Sequence, residues 1–137
     1  MADSKRKTLY EDSLFRLIWD EEIKVLESTQ MRQMSSQEFR ATLERLLVFM
    51  KDKKARKYLA DMSNAGNIAP EDLVYSETDW FARARSTGVK TIAVVMPKSL
   101  SGHMTLDKLV DRNAQAQGVT RMLFKDVESA REWIVKQ

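Results

Sequence analysis

The chain has 137 residues, 43% of them hydrophobic, which suits one domain with its own core and argues against a disordered protein. It has no cysteine, and this excludes disulfides, zinc–thiolate sites and thiol nucleophiles. No apolar run approaches the about 18 residues of a membrane span, and the first residues lack the apolar core of a secretory signal. We therefore expect a cytoplasmic protein with no membrane span.

The net charge of +3 comes from two local clusters of basic residues. They are Lys5, Arg6, Lys7, Lys51, Lys53, Lys54, Arg56 and Lys57. Without these eight residues the rest of the chain would carry a net charge of −5. The first cluster belongs to a predicted flexible basic tail over residues 1–7, and the second follows a predicted helix, whose carbonyl end attracts cations. Neither is accompanied by an RNA-binding aromatic motif, so we expect no nucleic-acid partner.

A β-meander or hairpin is predicted at the start of the domain. Residues 9–10 begin a short strand, and residues 13–19 alternate between an apolar and a mixed face, which is typical of a second strand. Residues 20–22 form a turn, and residues 23–26 return as the partner strand. The apolar face consists of Phe15, Leu17 and Trp19. The mixed face predicts that the meander has one wetter face or lies at the edge of the sheet.

A first helix is expected to begin at Ser35 or Ser36, because Ser35 and Glu38 have the spacing of a capping box. Its apolar stripe has the periodicity of a helix that faces a core. The stripe consists of Phe39, Leu43, Leu46, Leu47 and Met50. The helix ends in the second basic cluster, and Tyr58 to Met62 follows as a buried strand.

The second half of the domain alternates between helices and strands. Pro70 opens a helix that Gly88 ends, and Thr91 to Met96 is the most apolar run, which predicts a central strand. The stripe of this helix is Leu73, Trp80, Phe81 and Ala84. A third helix is predicted from Leu106, Leu109, Val110 and Ala114. A last strand at residues 122–124 precedes a final helix, which Asp126 caps and whose inward positions are Val127, Ala130, Trp133 and Ile134.

This order predicts one α/β domain over residues 8–137. A β-meander is followed by alternating helices and strands, which implies parallel neighbours joined by right-handed crossovers. We expect a mixed sheet of about five strands with about four helices.

Four segments carry a resemblance to a known family: residues 59–64, 78–81, 92–98 and 124–133. In this order they resemble the STAS domain, and more closely the SpoIIAA-like branch of bacterial anti-sigma factor antagonists, which overlaps in fold with CRAL-TRIO lipid-transfer domains. The resemblance spans nearly the whole chain. It implies a bacterial, non-enzymatic regulatory or interaction module that binds a protein partner or a small ligand where the strands end.

One departure from the family pattern concerns the regulatory serine. Asp61-Met62-Ser63 resembles the Asp-Leu-Ser of the STAS strand end, and Ile68 matches the isoleucine that precedes a phosphorylated serine in the antagonist branch. Here Ala69, Pro70 and Glu71 follow, so the phosphorylatable serine is missing. We therefore expect a binding surface without the usual phosphorylation switch.

The candidate binding residues lie at two strand ends and on the second helix. They are Asp61, Ser63, Asn64, Trp80, Phe81, Pro97, Lys98, Ser99 and His103. Crevices at the carboxyl ends of parallel strands are common ligand sites. Simpler interpretations stay open: the 61–64 segment suits a polar turn, Lys98 a solvated lysine, and Trp80 and Phe81 core packing.

Two further functions stay open in the sequence. One is a carrier or sensor of a small apolar or amphipathic, lipid-like ligand, which the overlap with lipid-transfer domains implies. The other is a small hydrolase built on Ser99, His103 and Asp107, which the lack of a G-x-S-x-G elbow disfavours. We expect no cofactor and no metal site, since His103 is the only histidine. A homodimer through the N-terminal hairpin is a further hypothesis.

Overall fold

The computed structural model describes residues 5–98, the backbone of residues 108–110, and residues 117–137. In this part of the chain seven strands form one mixed sheet, in the order β1-β2-β3-β4-β5-β7-β6. They are β1 (Arg6–Glu11), β2 (Phe15–Asp20), β3 (Val25–Gln30), β4 (Lys57–Asp61), β5 (Thr91–Val95), β6 (Lys108–Val110) and β7 (Thr120–Phe124). The predicted α/β class is confirmed, although the sheet is larger than the five strands expected.

The described helices lie on both sides of this sheet. They are α1 (Ser36–Lys53), α2 (Pro70–Tyr75), α3 (Phe81–Ser86) and α4 (Val127–Val135). A π-helical turn, Ser76–Trp80, joins α2 to α3, so residues 70–86 form one continuous helical segment, called here the 70–86 helix. None of the helices in the described part of the chain combines the length and the apolar composition that a membrane span requires.

The predicted meander is confirmed. β1 pairs with β2 and β2 with β3, both antiparallel. Phe15, Leu17 and Trp19 are buried on one face, as their alternation predicts. β1 begins at Arg6, and both Arg6 and Lys7 pair with β2. The predicted flexible tail over residues 1–7 therefore extended two residues too far.

Three parallel pairings follow the meander, joining β3 to β4, β4 to β5 and β5 to β7. Beyond them, β6 pairs antiparallel with β7 at the edge of the sheet. The prediction of a helix through Leu109 and Val110 was wrong, since both lie in β6. Pairing with the edge of β7 decides this segment, and a short apolar pattern does not reveal such a tertiary contact. Leu106 and Ala114 lie outside the described residues.

The predicted start of α1 is confirmed in detail. The Ser35 hydroxyl accepts a hydrogen bond from the Glu38 amide at 3.2 Å, and the Glu38 carboxylate accepts one from the Ser35 amide at 2.9 Å. α1, the π turn and α3 pack on the sheet face that carries the apolar meander residues, while α4 covers the opposite face. The buried positions of α1 are Phe39, Leu43, Leu46 and Met50, all of which its stripe predicts.

The inward face of the 70–86 helix differs from its predicted stripe at one position. Trp80, Phe81 and Ala84 are buried as expected, but Leu73 is 41% exposed. In its place Asp72 is buried, at 3% exposure. A neighbouring polar pair from α1 accounts for this: the Ser36 hydroxyl donates to Asp72 Oδ1 at 2.7 Å, and Arg40 Nε donates to the same oxygen at 2.9 Å. These bonds fix α2 against the start of α1.

Glu27 on β3 is a buried carboxylate. It joins β1 to α4, on the face of the sheet opposite to α1. Arg131 donates to both of its oxygens, at 3.2 and 2.7 Å, and Arg6 donates at 3.3 Å. Burial by itself would raise the pKa of Glu27, but the hydrogen bonds and charges of Arg131 and Arg6 outweigh it and hold the pKa below its ordinary value of 4.5. Glu27 therefore stabilises the fold as a carboxylate.

We predict that Glu27→Gln lowers the free energy of unfolding by about 2 kcal/mol at pH 7, less than for a fully buried pair because Arg131 is 45% exposed. The pKa of Glu27 is lower in the folded protein than in the unfolded chain. Its contribution to stability is therefore present above pH 4.5 and is lost as the pH falls through the folded pKa. Urea unfolding from pH 7 to pH 3 measures the difference between wild type and variant, which should shrink on acidification. Glu132→Gln, on the exposed side of α4, serves as the control, and a difference that stayed constant with pH would contradict the prediction.

Candidate functional site

The loops that follow β4 and β5 lie side by side at the carboxyl ends of the parallel strands. The Met62 amide donates to the Val95 carbonyl at 2.9 Å, and the Lys98 amide donates to the Ser63 carbonyl at 3.2 Å. The Met96 amide extends the same pattern to the Phe124 carbonyl at 2.9 Å. The two segments that the sequence identifies as candidates, 61–64 and 97–98, are thus neighbours in the fold.

The first of these segments has the contacts of a polar turn. The Asp61 carboxylate accepts from the Ser63 amide at 3.1 Å and from the Ser63 hydroxyl at 2.7 Å, both at Oδ1. Asn64 is exposed beside it. This arrangement shapes the loop, as expected of Asp and Ser in turns. Asp61 and Ser63 therefore shape the loop, and their role as binding residues stays a prediction.

The second segment divides between interior and surface. Pro97 is buried, and Lys98 is exposed next to the Ser63 carbonyl. Ser99 and His103 lie outside the described residues. A hydrolase built on Ser99, His103 and Asp107 accordingly has no described geometry behind it. Among the described residues, no group of three or more His, Cys, Asp or Glu side chains could hold a metal ion.

A cavity of about 370 Å³ opens beside these loops, between the sheet and the 70–86 helix. Its walls are mainly apolar and come from α1, β4, β5, β7, the two loops and the 70–86 helix. The described lining residues are Phe39, Leu43, Tyr58, Ala60, Met62, Gly66, Asn67, Ile68, Leu73, Ser76, Glu77, Trp80, Ile92, Val94, Met96, Pro97, Arg121 and Leu123. Of the predicted site residues, Trp80 and Pro97 belong to this wall.

Trp80 both supports the core and lines the cavity. Its indole Nε1 donates to the Leu43 carbonyl at 2.7 Å, and its ring centre lies 6.3 Å from that of Tyr58. Phe81 is buried in the same cluster without lining the cavity, so it has the core role that the sequence left open for both aromatics. The hydrogen bond fixes the Trp80 ring as one rigid wall.

Besides Asn67 and Ser76, two polar features interrupt the apolar wall. Within the core, the Tyr58 hydroxyl lies 2.6 Å from the Ser28 hydroxyl, and burial raises the pKa of Tyr58 to about 12, so the phenol stays neutral. On β7, the Arg121 guanidinium donates to both oxygens of Glu77, at 2.7 and 2.6 Å. One feature is a neutral hydroxyl pair and the other is an ion pair.

Sequence reasoning missed Arg121 and Glu77. The last strand was predicted to start at residue 122, whereas β7 starts at Thr120 and includes Arg121. In the parallel register Arg121 lies beside Ile92, so both face the side of the sheet that holds the cavity. The sequence offered one signal for Arg121, which is a basic residue directly before the predicted apolar strand.

We predict that Trp80→Phe lowers the free energy of unfolding by about 1 kcal/mol more than Trp133→Phe does. Both changes replace an indole ring by a phenyl ring. Trp80→Phe also removes a hydrogen bond, whereas Trp133 Nε1 makes none within the described part of the chain. Urea unfolding monitored by circular dichroism measures both. Equal losses for the two variants would mean that the bond to the Leu43 carbonyl contributes nothing.

Comparisons with known proteins add no identity to this geometry. No family model matches the chain, and searches of curated proteins and of solved structures found no match either. The cavity and the loops beside it are the features of the described residues that bear on function.

Proposed function

We propose that this chain is a non-enzymatic, STAS-like binding module that takes a small apolar or amphipathic ligand into the cavity beside the 70–86 helix. The observation that carries the proposal is the cavity itself. Its volume of about 370 Å³ falls within the about 300–1,000 Å³ of typical small-molecule sites. Mainly apolar walls with a few polar groups are the usual composition of such sites.

The position of the cavity supports the same function. It lies at the carboxyl ends of β4 and β5, where open α/β sheets commonly bind ligands. Met62 and Met96 contribute unbranched, polarizable side chains to its wall. Such side chains adapt to ligands of different shape, which suits a carrier or a sensor.

A protein partner at the same surface is the second candidate function. Leu73 and Val74 are exposed neighbours on α2, and Leu73 also lines the cavity. A bound ligand would therefore alter the surface that a partner contacts. In this proposal the module acts in the bacterial cytoplasm, alone or as a homodimer, and reports ligand occupancy without a phosphorylated serine.

We predict that the wild-type protein binds 1-decanol and that Val94→Phe weakens this binding at least about tenfold. Val94 is a half-buried wall of the cavity, so the larger ring fills the space that the hydrocarbon needs. Isothermal titration calorimetry measures the affinity. Native mass spectrometry of gently purified protein shows whether a ligand is already present.

Met122→Phe is the matched control, because Met122 lies one position before Leu123 on β7 and packs with the opposite core. It should keep wild-type affinity. Protein that is uniformly ligand-free and does not bind decanol would overturn the proposed function. Equal weakening by both variants would overturn the assignment of the site to this cavity.

A further inference from the structure

A second cavity, of about 380 Å³, lies between the end of β3, the start of α1 and the loop that precedes the 70–86 helix. We call it the polar cavity, because five of its eleven described lining residues have side chains that form hydrogen bonds. They are Gln30, Gln33, Ser36, Asn67 and Asp72. This composition differs from the mainly apolar wall of the first cavity and indicates a ligand of different chemistry.

Asp72 is a buried carboxylate that keeps one oxygen for a ligand. Its Oδ1 accepts from the Ser36 hydroxyl and from Arg40 Nε, and these bonds hold the pKa of Asp72 below its ordinary value of 3.8, so that it is ionised at pH 7. Its Oδ2 accepts no hydrogen bond from the described residues, although Asp72 is only 3% exposed. Buried carboxylate oxygens ordinarily have a hydrogen-bond partner. We therefore expect a donor in the polar cavity to bind Oδ2.

Gln30, the last residue of β3, provides a second acceptor. It is 6% exposed, and its Nε2 donates to the Arg32 carbonyl at 2.9 Å, which fixes the orientation of the amide. Within the described part of the chain its Oε1 accepts no hydrogen bond. Two side chains that are more than nine-tenths buried thus each leave one acceptor oxygen for a group that enters the polar cavity.

The two loops that form the sides of the polar cavity are fixed against each other. The Asn67 backbone amide donates to Gln33 Oε1 at 3.2 Å. Gly66 permits this approach, because its φ is +68° and a Cβ there would lie 2.5 Å from Gln33 Oε1. Gln33 Nε2 and the side-chain amide of Asn67 form no hydrogen bond with other described residues, so the cavity offers donors as well as acceptors.

The charges around the polar cavity balance each other. Asp72 is the only charged residue among its described lining residues, and Arg40, which binds Asp72 at 2.9 Å, lies outside that lining. Asp72 would repel an anionic ligand and Arg40 a cationic one, so a neutral ligand is favoured. A hydroxyl group is one donor and two acceptors. A ring with several hydroxyls therefore matches both the two acceptor oxygens and the two amides.

We propose that the polar cavity is a second binding site, which takes a neutral polyol of about monosaccharide size through hydrogen bonds to Asp72 Oδ2 and Gln30 Oε1. Its volume falls within the range of typical small-molecule sites. Met34 and Phe39 supply apolar surface for the C–H groups of such a ring. A rigid ring also loses little conformational freedom on binding. This assignment is independent of the proposed function, since it concerns a different cavity.

myo-Inositol, D-glucose and cyclohexanol test the assignment, because all three have a six-membered ring and only the first two carry several hydroxyls. Each is titrated at pH 7 into the isotope-labelled full chain, and the backbone amide chemical shifts of residues 65–69 measure the affinity. We expect at least one polyol to produce saturable shifts. It should bind at least about tenfold more tightly than cyclohexanol, because each further hydrogen bond contributes about 1 kcal/mol.

Asp72→Asn is the first variant, because asparagine keeps Oδ1 as an acceptor and replaces Oδ2 by an amide nitrogen. We expect it to weaken polyol binding at least about tenfold, the loss expected for a hydrogen bond to a charged group. Glu71→Gln is the matched control, since Glu71 is the exposed neighbour of Asp72 and does not line the polar cavity. It should keep wild-type affinity, and equal weakening by both variants would overturn the contact assigned to Asp72.

Gln30→Met tests the second acceptor and should weaken polyol binding about three- to tenfold, the loss expected for a neutral hydrogen bond. Gln37→Met makes the same change at an exposed position of α1 outside the lining, and it should leave the affinity unchanged. Thermal unfolding checks that every variant is folded. The comparison of the three probes in the wild type keeps the test decisive if a variant fails to fold.

Three outcomes would overturn the polyol site. The first is the absence of saturable shifts with both polyols, and the second is cyclohexanol binding as tight as that of the polyols. The third is polyol affinity that stays unchanged in both Asp72→Asn and Gln30→Met. None of them affects binding of decanol in the apolar cavity, so the two proposals fail separately.

Discussion

Parallel pairing in register, from β3 through β4 and β5 to β7, is the constraint on which the other features depend. It brings the carboxyl ends of these strands to one edge of the sheet, where the 61–64 and 97–98 segments become neighbours. It also buries the central strands, so that both faces need cover. α1 and the 70–86 helix cover one face, and α4 covers the other.

The cavity follows from how the 70–86 helix is held. At one end, Asp72 is hydrogen-bonded to Ser36 and Arg40 of α1, and at the other, Trp80 donates to the Leu43 carbonyl. Both attachments lead to α1, the Glu77–Arg121 ion pair adds one to β7, and the cavity lies between the helix and the strands β4, β5 and β7. We attribute the exposure of Leu73 to the same cause, since the buried position beside it belongs to Asp72.

Part of the site could be predicted from the local sequence. Asp61 and Ser63 form the polar turn that their residue types suggest, and Pro97 follows β5 and lines the cavity. Arg121 could not be identified in this way, because its significance depends on lying beside Ile92, a contact between strands distant in sequence. Glu77 could not be identified either, since an exposed acidic residue on a helix is ordinary until a half-buried cation is known to face it.

The sequence by itself determined the elements whose signals are local. The capping box at Ser35, the alternation at Phe15, Leu17 and Trp19, and the apolar run from Thr91 predict a helix, a half-buried strand and a central strand, because each depends on neighbours a few residues away. Only the tertiary structure decided what depends on distant partners. These features are the edge strand β6, the buried Asp72, the cavity and the Arg121–Glu77 pair. Each of them depends on contacts between segments that are far apart in the chain.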